Sequence, residues 1–237
     1  MGLRGPLTTI KSKMLHIDVE TRSVCDLKKS GAYRYSEDPS TEVLCMALLD
    51  GDTLQRETWV PGQPIPQGFL DSFPDVAAWN ASFERLMYQN ILVPRHGFPP
   101  LSIDNFYDPS ALARQYGLPS GLGTCALALG LSQDQQKDKE GRAIMLKMSK
   151  PRRMESDQPI WWDTPELRQQ LLDYCIQDVE VEYAIYCKLT NKDSNVRVNH
   201  TENSPQESSH QRASDQRKRN ASNHAHPEFD FANSTAQ

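Results

Sequence analysis

Apolar and polar positions alternate with period two over Leu15-His16-Ile17-Asp18-Val19-Glu20. This predicts a first strand over residues 14 to 20, with Leu15, Ile17 and Val19 on one face and Asp18 and Glu20 on the other. Val43 to Leu49 and Leu54 to Val60 read as second and third strands, joined through the hairpin signal Asp50-Gly51-Asp52, so three antiparallel strands come first. The short apolar run Asp75-Val76-Ala77-Ala78-Trp79 fits a buried fourth strand. Asn80 then reads as the cap of a helix that carries Phe83, Leu86, Met87 and Ile91 at helical spacing and Glu84 in its opening turns. Leu101 to Phe106 completes five strands, and helices are predicted over Pro109 to Tyr116 and Gly121 to Leu129. Thr164-Pro165-Glu166-Leu167 has Thr as cap and Pro at the first helical position, and opens a long helix through Leu171, Leu172, Cys175 and Val179. On that helix Tyr174 and Asp178 stand at i, i+4 and share a face. The predicted class is α/β, a mixed five-stranded sheet flanked by helices.

The pattern stops near Thr190. From residue 191 to 237 there is no Leu, Ile, Met, Trp or Tyr, and Ser, Asn, Gln, His and Arg dominate, so this stretch cannot bury enough apolar surface to offset the entropy of ordering it. We expect a disordered polar tail over 191–237, a folded domain over 14–190 and an N-terminal extension over 1–13. The tail's six Lys/Arg balance its six Asp/Glu, leaving twenty basic against twenty-five acidic residues before it. That balance argues against a protein held to nucleic acid by charge alone, although bound cations would offset part of it. Five cysteines without a CxxC pair suggest neither a disulfide framework nor a zinc ribbon, and a reducing cytoplasm suits them. The opening MGLRGPLTTIKSKM lacks the apolar run of a signal peptide, Pro6 stands where a myristoylation signal wants Ser or Thr, and no stretch is apolar enough to span a bilayer. No membrane partner is expected.

The chemistry concentrates in four acids at three places: Asp18 and Glu20 in LHIDVE, Glu84 in WNASFE, and Asp178 in YCIQD. Two carboxylates on one strand face repel unless cations sit between them, and hard oxygen ligands favour magnesium or manganese. Taken singly, a D-x-E is most often a solvated strand face and a Y-x-x-x-D most often an aromatic beside a surface acid. Their order and context change the balance.

Strands carrying a D-x-E, a strand running into a helix with a further acid, and a late helix with Y-x-x-x-D resemble the ribonuclease H-like fold of the DEDD exonucleases. More narrowly, the chain resembles the proofreading 3′→5′ exonuclease domain of bacteriophage family A DNA polymerases, over roughly residues 14 to 189. LHIDVETRSVCDLKKSGAYRYSEDPSTEVLCMAL, WNASFERLMYQNIL and QKDKEGRAIMLKMSKPRR all have the look of that group. The resemblance implies that Asp18 bridges two divalent cations, that Glu20 is its partner on one of them, and that Asp178 is the third-motif ligand. It also implies that the Tyr174 phenol orients the attacking water. Glu84 stands where most of the family has Asp, which lengthens the ligand arm. The family's histidine branch needs His five residues before the last aspartate; here that residue is Asp173, so the tyrosine branch is indicated. The implied reaction is two-metal hydrolysis of single-stranded or frayed DNA from the 3′ end, with Mg²⁺ or Mn²⁺ as cofactor. The implied setting is the host cytoplasm of a phage.

Lys137, Lys139, Arg142, Lys147, Lys150, Arg152 and Arg153 form a basic segment in an otherwise acidic body, suited to a nucleic-acid backbone. Its plainer reading is a solvated loop. Asn80 and Phe83 are further candidate nucleic-acid contacts, Trp161-Trp162 reads as core or as a stacking surface, and His16 reads as a satisfied interior histidine. In the family the chain would run on into a polymerase region, but here it enters the polar tail. A stand-alone enzyme or one paired with a separate polymerase subunit is therefore expected. Two alternatives stay open: an exoribonuclease of the same fold, or a nucleic-acid-binding module with a vestigial centre.

Overall fold

Strand β1 (Met14–Arg22) is the middle of the sheet, and both of its faces are covered. The computed structural model describes residues 13–70, 74–131 and 135–191, with the side chains of 135–138 excepted. The expected N-terminal extension before Lys13 and the expected polar tail from Lys192 onward lie outside the described residues.

In chain order β1 is followed by α1 (Leu27–Glu37), β2 (Glu42–Asp50), β3 (Arg56–Trp59), α2 (Gln67–Leu70) and β4 (Asp75–Ala77). Next come α3 (Ser82–Met87), a π-helical turn (Tyr88–Leu92), α4 (Val93–His96), a 3-10 turn (Ile103–Asn105) and β5 (Phe106–Tyr107). The chain then passes through α5 (Pro109–Gln115), α6 (Leu122–Ala128), α7 (Gln135–Met148), β6 (Arg153–Glu155), β7 (Gln158–Ile160) and α8 (Pro165–Thr190). The sheet order is β3-β2-β1-β4-β5, antiparallel across β3, β2 and β1 and parallel across β1, β4 and β5. This is the expected mixed sheet of a ribonuclease H-like fold, with its three antiparallel strands first. β6 and β7 form a separate hairpin.

The alternation read in β1 sorts its side chains as predicted. Leu15, Ile17 and Val19 pack on Met87, Tyr88, Ile91 and Leu92 in one core. The opposite face meets α8, where Leu171, Cys175, Val179 and Tyr183 pack against Cys45, Ala47 and Leu49 of β2. Pairing shifts just after Glu20: Glu20 lies opposite Cys45 and Thr21 opposite Val43, so Leu44 is an extra residue on β2. Such a bulge bends the strand and re-aims its side chains where β1 leaves the core.

Several boundaries differ from expectation. β3 begins at Arg56 because Leu54 takes a left-handed φ of 62° and Asp50 Oδ1 accepts from the Asp52 and Thr53 amides, which lengthens the loop. β5 is only Phe106–Tyr107, since Ser102 caps a 3-10 turn where the strand was expected to run. Asn80 is not the cap of α3. It has a φ of 65°, a conformation Asn tolerates better than most residues, and Ala81 holds the cap position without a side-chain bond. The α8 start is as read, with the Thr164 hydroxyl accepting from the Leu167 amide at 3.3 Å.

Candidate metal centre

Parallel β1 and β4 end on the same side of the sheet, where open α/β folds gather their ligands. β1 delivers Asp18 and Glu20 there. After β4 the left-handed turn at Asn80, whose backbone N–H donates to Asp108 Oδ1 at 3.0 Å, sends the chain straight into α3, so that Glu84 arrives in its first turn. α8 crosses the same end and contributes Tyr174 and Asp178. All five residues, with Asn80 and Phe83, line one cleft of about 760 Å³. Residues from three distant segments thus line one cleft.

The acids are costly where they stand. Glu20 and Glu84 are buried, at 8% and 5% exposure. Burial pushes the Asp18 carboxyl up to about 6, with the charge of Glu182 adding to it. Burial also raises Glu20 well above the usual carboxylate range, and Asp18, Cys45, Asp178 and Glu84 raise it further. Glu84 is raised in the same way, by burial and then by Asp18, Asp108 and Glu182. Among the described residues, two buried oxygens of this group, Asp18 Oδ2 and Glu84 Oε2, accept no hydrogen bond. An orphaned buried carboxylate oxygen is unfavourable unless a proton or a cation meets it. The donor set therefore fits hard divalent cations: all oxygen, like-charged, and short of hydrogen-bond donors. Among the described residues, no group of three or more His, Cys, Asp or Glu side chains is placed closely enough to hold a metal ion without rearrangement.

Tyr174 sits one helical turn before Asp178 and is half-buried. Burial, followed by the charge of the neighbouring Asp178 carboxylate, pushes its hydroxyl far above its ordinary value. It keeps its proton at any physiological pH.

Glu182 has no counterpart in the sequence reading. It is 2% exposed, one further turn along the Tyr174-Asp178 stripe, and its Oε2 lies 2.7 Å from His16 Nδ1. His16 is interior as read but only half satisfied: Glu182 meets Nδ1, an edge contact with the Tyr183 ring and a tilted one with Tyr186 flank it, and Nε2 has no hydrogen-bond partner among the described residues. The i, i+4, i+8 series Tyr174, Asp178, Glu182 in an apolar helix half was the available signal.

The basic segment is not placed as one strip. Most of it is the helix α7 rather than a loop. The Lys137 side chain lies outside the described residues, and Lys139 and Arg142 are exposed on α7. Lys147 Nζ and Arg152 Cζ stand over the Trp162 ring at 4.3 and 4.6 Å, and Arg22 Cζ stands over Trp161 at 4.8 Å. Both tryptophans are half-buried, and Trp162 packs with Met148 and Leu171. Trp162 is thus taken up by core and cations, whereas Trp161 carries the Arg22 guanidinium on its ring. Among the described side chains of the segment, Lys150 and Arg153 are the cations that reach the cleft with the acids, joined there by the exposed apolar Val24, Leu146 and Met154. Among the described residues no helix is long and apolar enough to cross a membrane.

No protein-family model matches the chain. The chain is similar to the DNA polymerase of Bacillus phage SP02, with 33% identity over an alignment 189 positions long that covers 73% of this chain and 27% of that polymerase. It thus spans little more than a quarter of the length of the phage DNA polymerase that it matches.

Proposed function

We propose that this chain is a metal-dependent 3′→5′ exonuclease of the tyrosine DEDD branch, hydrolysing single-stranded or frayed DNA ends. One observation carries the reading: Asp18, Glu20, Glu84 and Asp178, from three separate segments, line one cleft with the Tyr174 phenol, and two of their buried oxygens lack any donor among the described residues. Similarity to part of a phage DNA polymerase supports DNA as substrate and editing of polymerase products as the role. The 3′→5′ polarity is that of the enzymes these motifs resemble.

Asp18, Glu20, Glu84 and Asp178 would hold two divalent cations, Mg²⁺ or Mn²⁺. When bound, such a pair supplies an activated water and stabilises charge on the leaving oxygen. The protein's own side chains do the rest. Tyr174, protonated and beside Asp178, orients the water rather than removing its proton. Lys150 and Arg153 offer positive charge to the backbone, while Phe83, Val24, Leu146 and Met154 give unpaired bases apolar surface.

The test is digestion of 5′-labelled and 3′-labelled single-stranded DNA and RNA with Mg²⁺ or with EDTA. A ladder shortening stepwise from the 5′-labelled DNA, immediate mononucleotide release from the 3′-labelled DNA, and no reaction in EDTA are expected. Intact DNA, or release from the 5′ end, contradicts the reading. Degradation of RNA alone transfers it to the exoribonuclease class.

A further inference from the structure

Helix α7 carries a buried glycine, Gly141, in its middle, where glycine weakens a helix relative to alanine. The reason is what lies against it. A Cβ placed on Gly141 would fall 2.2 Å from Tyr174 Cδ2, 2.8 Å from Cγ and 3.1 Å from Cβ. These are the root and near edge of the ring, not a flexible tip, so the ring cannot yield without turning about χ1 or driving the helices apart. On the same α7 face, Met145 and Met148, at i+4 and i+7 from Gly141, pack into the core that holds Leu171 and Cys175 of α8. Separation of the helices is thus resisted, and rotation of the ring carries its hydroxyl away from Asp178.

We propose that Gly141 is a positioning residue: the bare backbone of α7 is the wall that holds the Tyr174 ring where its hydroxyl meets Asp178 and the reacting water. The kinetic arm of this proposal rests on the exonuclease reading; its structural arm does not. α7 also brings Met145 and Leu146 to the cleft, so one helix both walls the phenol and faces the substrate.

The test is a double-mutant cycle in the full chain, combining Gly141→Ala with Tyr174→Phe for kinetics and with Tyr174→Ala for stability. In the wild-type background Gly141→Ala should lower kcat about ten- to a hundredfold with KM changed less than about threefold, the signature of a misplaced reacting group. In the Tyr174→Phe background, where the hydroxyl is already gone, the same substitution should cost less than about threefold in kcat. Independently of activity, Gly141→Ala should lower Tm in the wild type and raise it in Tyr174→Ala, where the ring no longer blocks the methyl and alanine favours the helix. If Gly141→Ala alone does not fold, a folded Gly141→Ala/Tyr174→Ala double variant supports the proposal and an unfolded one overturns it. An unchanged kcat, or equal losses in both backgrounds, also overturns it. If the wild type degrades no nucleic acid, the exonuclease reading falls and the thermal cycle decides alone: coupled Tm shifts support the packing of Gly141 on Tyr174, and additive ones overturn it.

Discussion

His16 Nδ1 and Glu182 Oε2 are 2.7 Å apart, with both side chains out of solvent, one register step behind the predicted metal ligands on β1 and α8. The bond ties the sheet's central strand to the helix that carries Tyr174 and Asp178. Removing one partner of a buried pair leaves the other uncompensated. Glu182→Leu should therefore destabilise the protein by about 3–5 kcal/mol, and Glu182→Gln, which keeps an oxygen for the ring, by clearly less. Chemical denaturation of the two variants checks this, and equal small losses would show the pair to be energetically idle.

The four acids should matter to rate and not to folding. Asp18→Ala or Asp178→Ala should cut nuclease turnover by about three orders of magnitude or more, while the metal-free fold stays intact because a repulsive charge has gone. Near-normal turnover in either variant, with folding confirmed by circular dichroism, would rule out these residues as ligands.

Tyr174→Phe should lower turnover by about ten- to a thousandfold and leave substrate affinity nearly unchanged, since a water-orienting hydroxyl acts only as the reaction proceeds. A variant as inactive as Asp18→Ala would mean that the phenol does more than position water.

Carboxyls raised by burial give the metal-free protein an inverted pH response. Asp18, lifted from 3.8 to about 6, binds a proton in the folded state where the unfolded chain has released it. Stability in EDTA should therefore be greatest at acidic pH and fall as pH rises from about 4 through 6, with Glu20 and Glu84 extending the loss upward. Saturating Mg²⁺ should restore the neutral-pH stability because it favours the charged forms. Thermal melts across this range, with EDTA and with Mg²⁺, read both effects. An EDTA melting temperature that climbs steadily with pH would contradict the electrostatic picture.

The divided basic segment makes a graded prediction. Lys150→Ala and Arg153→Ala, at side chains that line the cleft, should weaken single-stranded DNA binding and flatten its salt dependence, by a slope of about 0.7 for each phosphate no longer neutralised. Lys147→Ala and Arg152→Ala should chiefly cost stability, because their cations cover Trp162. Identical salt slopes for both pairs in a titration of DNA binding would refute the division.

What was legible in the sequence was what periodicity and caps encode. Alternation in β1 placed Asp18 and Glu20 on one face, and Thr164 and Pro165 marked the start of α8, while a shared site for the acids and Tyr174 was what the family resemblance implied. Helix α1 was not visible because it has no apolar period and Gly31, at a φ of 76°, kinks it into two turns. Helix α7 was hidden by its charges, although Gly141, Ile144, Met145 and Met148 stand at i, i+3, i+4 and i+7. Asn80 looked like a cap because Asn commonly is one, and only the backbone reveals the left-handed turn. Glu182 and the cations over Trp162 depend on the meeting of distant segments, which no local pattern records.

The exonuclease proposal turns on what the four acids hold. Crystals grown with Mn²⁺ and a short single-stranded oligonucleotide, measured for anomalous scattering, would show it directly. Two peaks in the cleft, bound by Asp18, Glu20, Glu84 and Asp178 and beside the 3′-terminal phosphate, are predicted. No peak there, with the oligonucleotide bound elsewhere on the protein, would contradict the proposal.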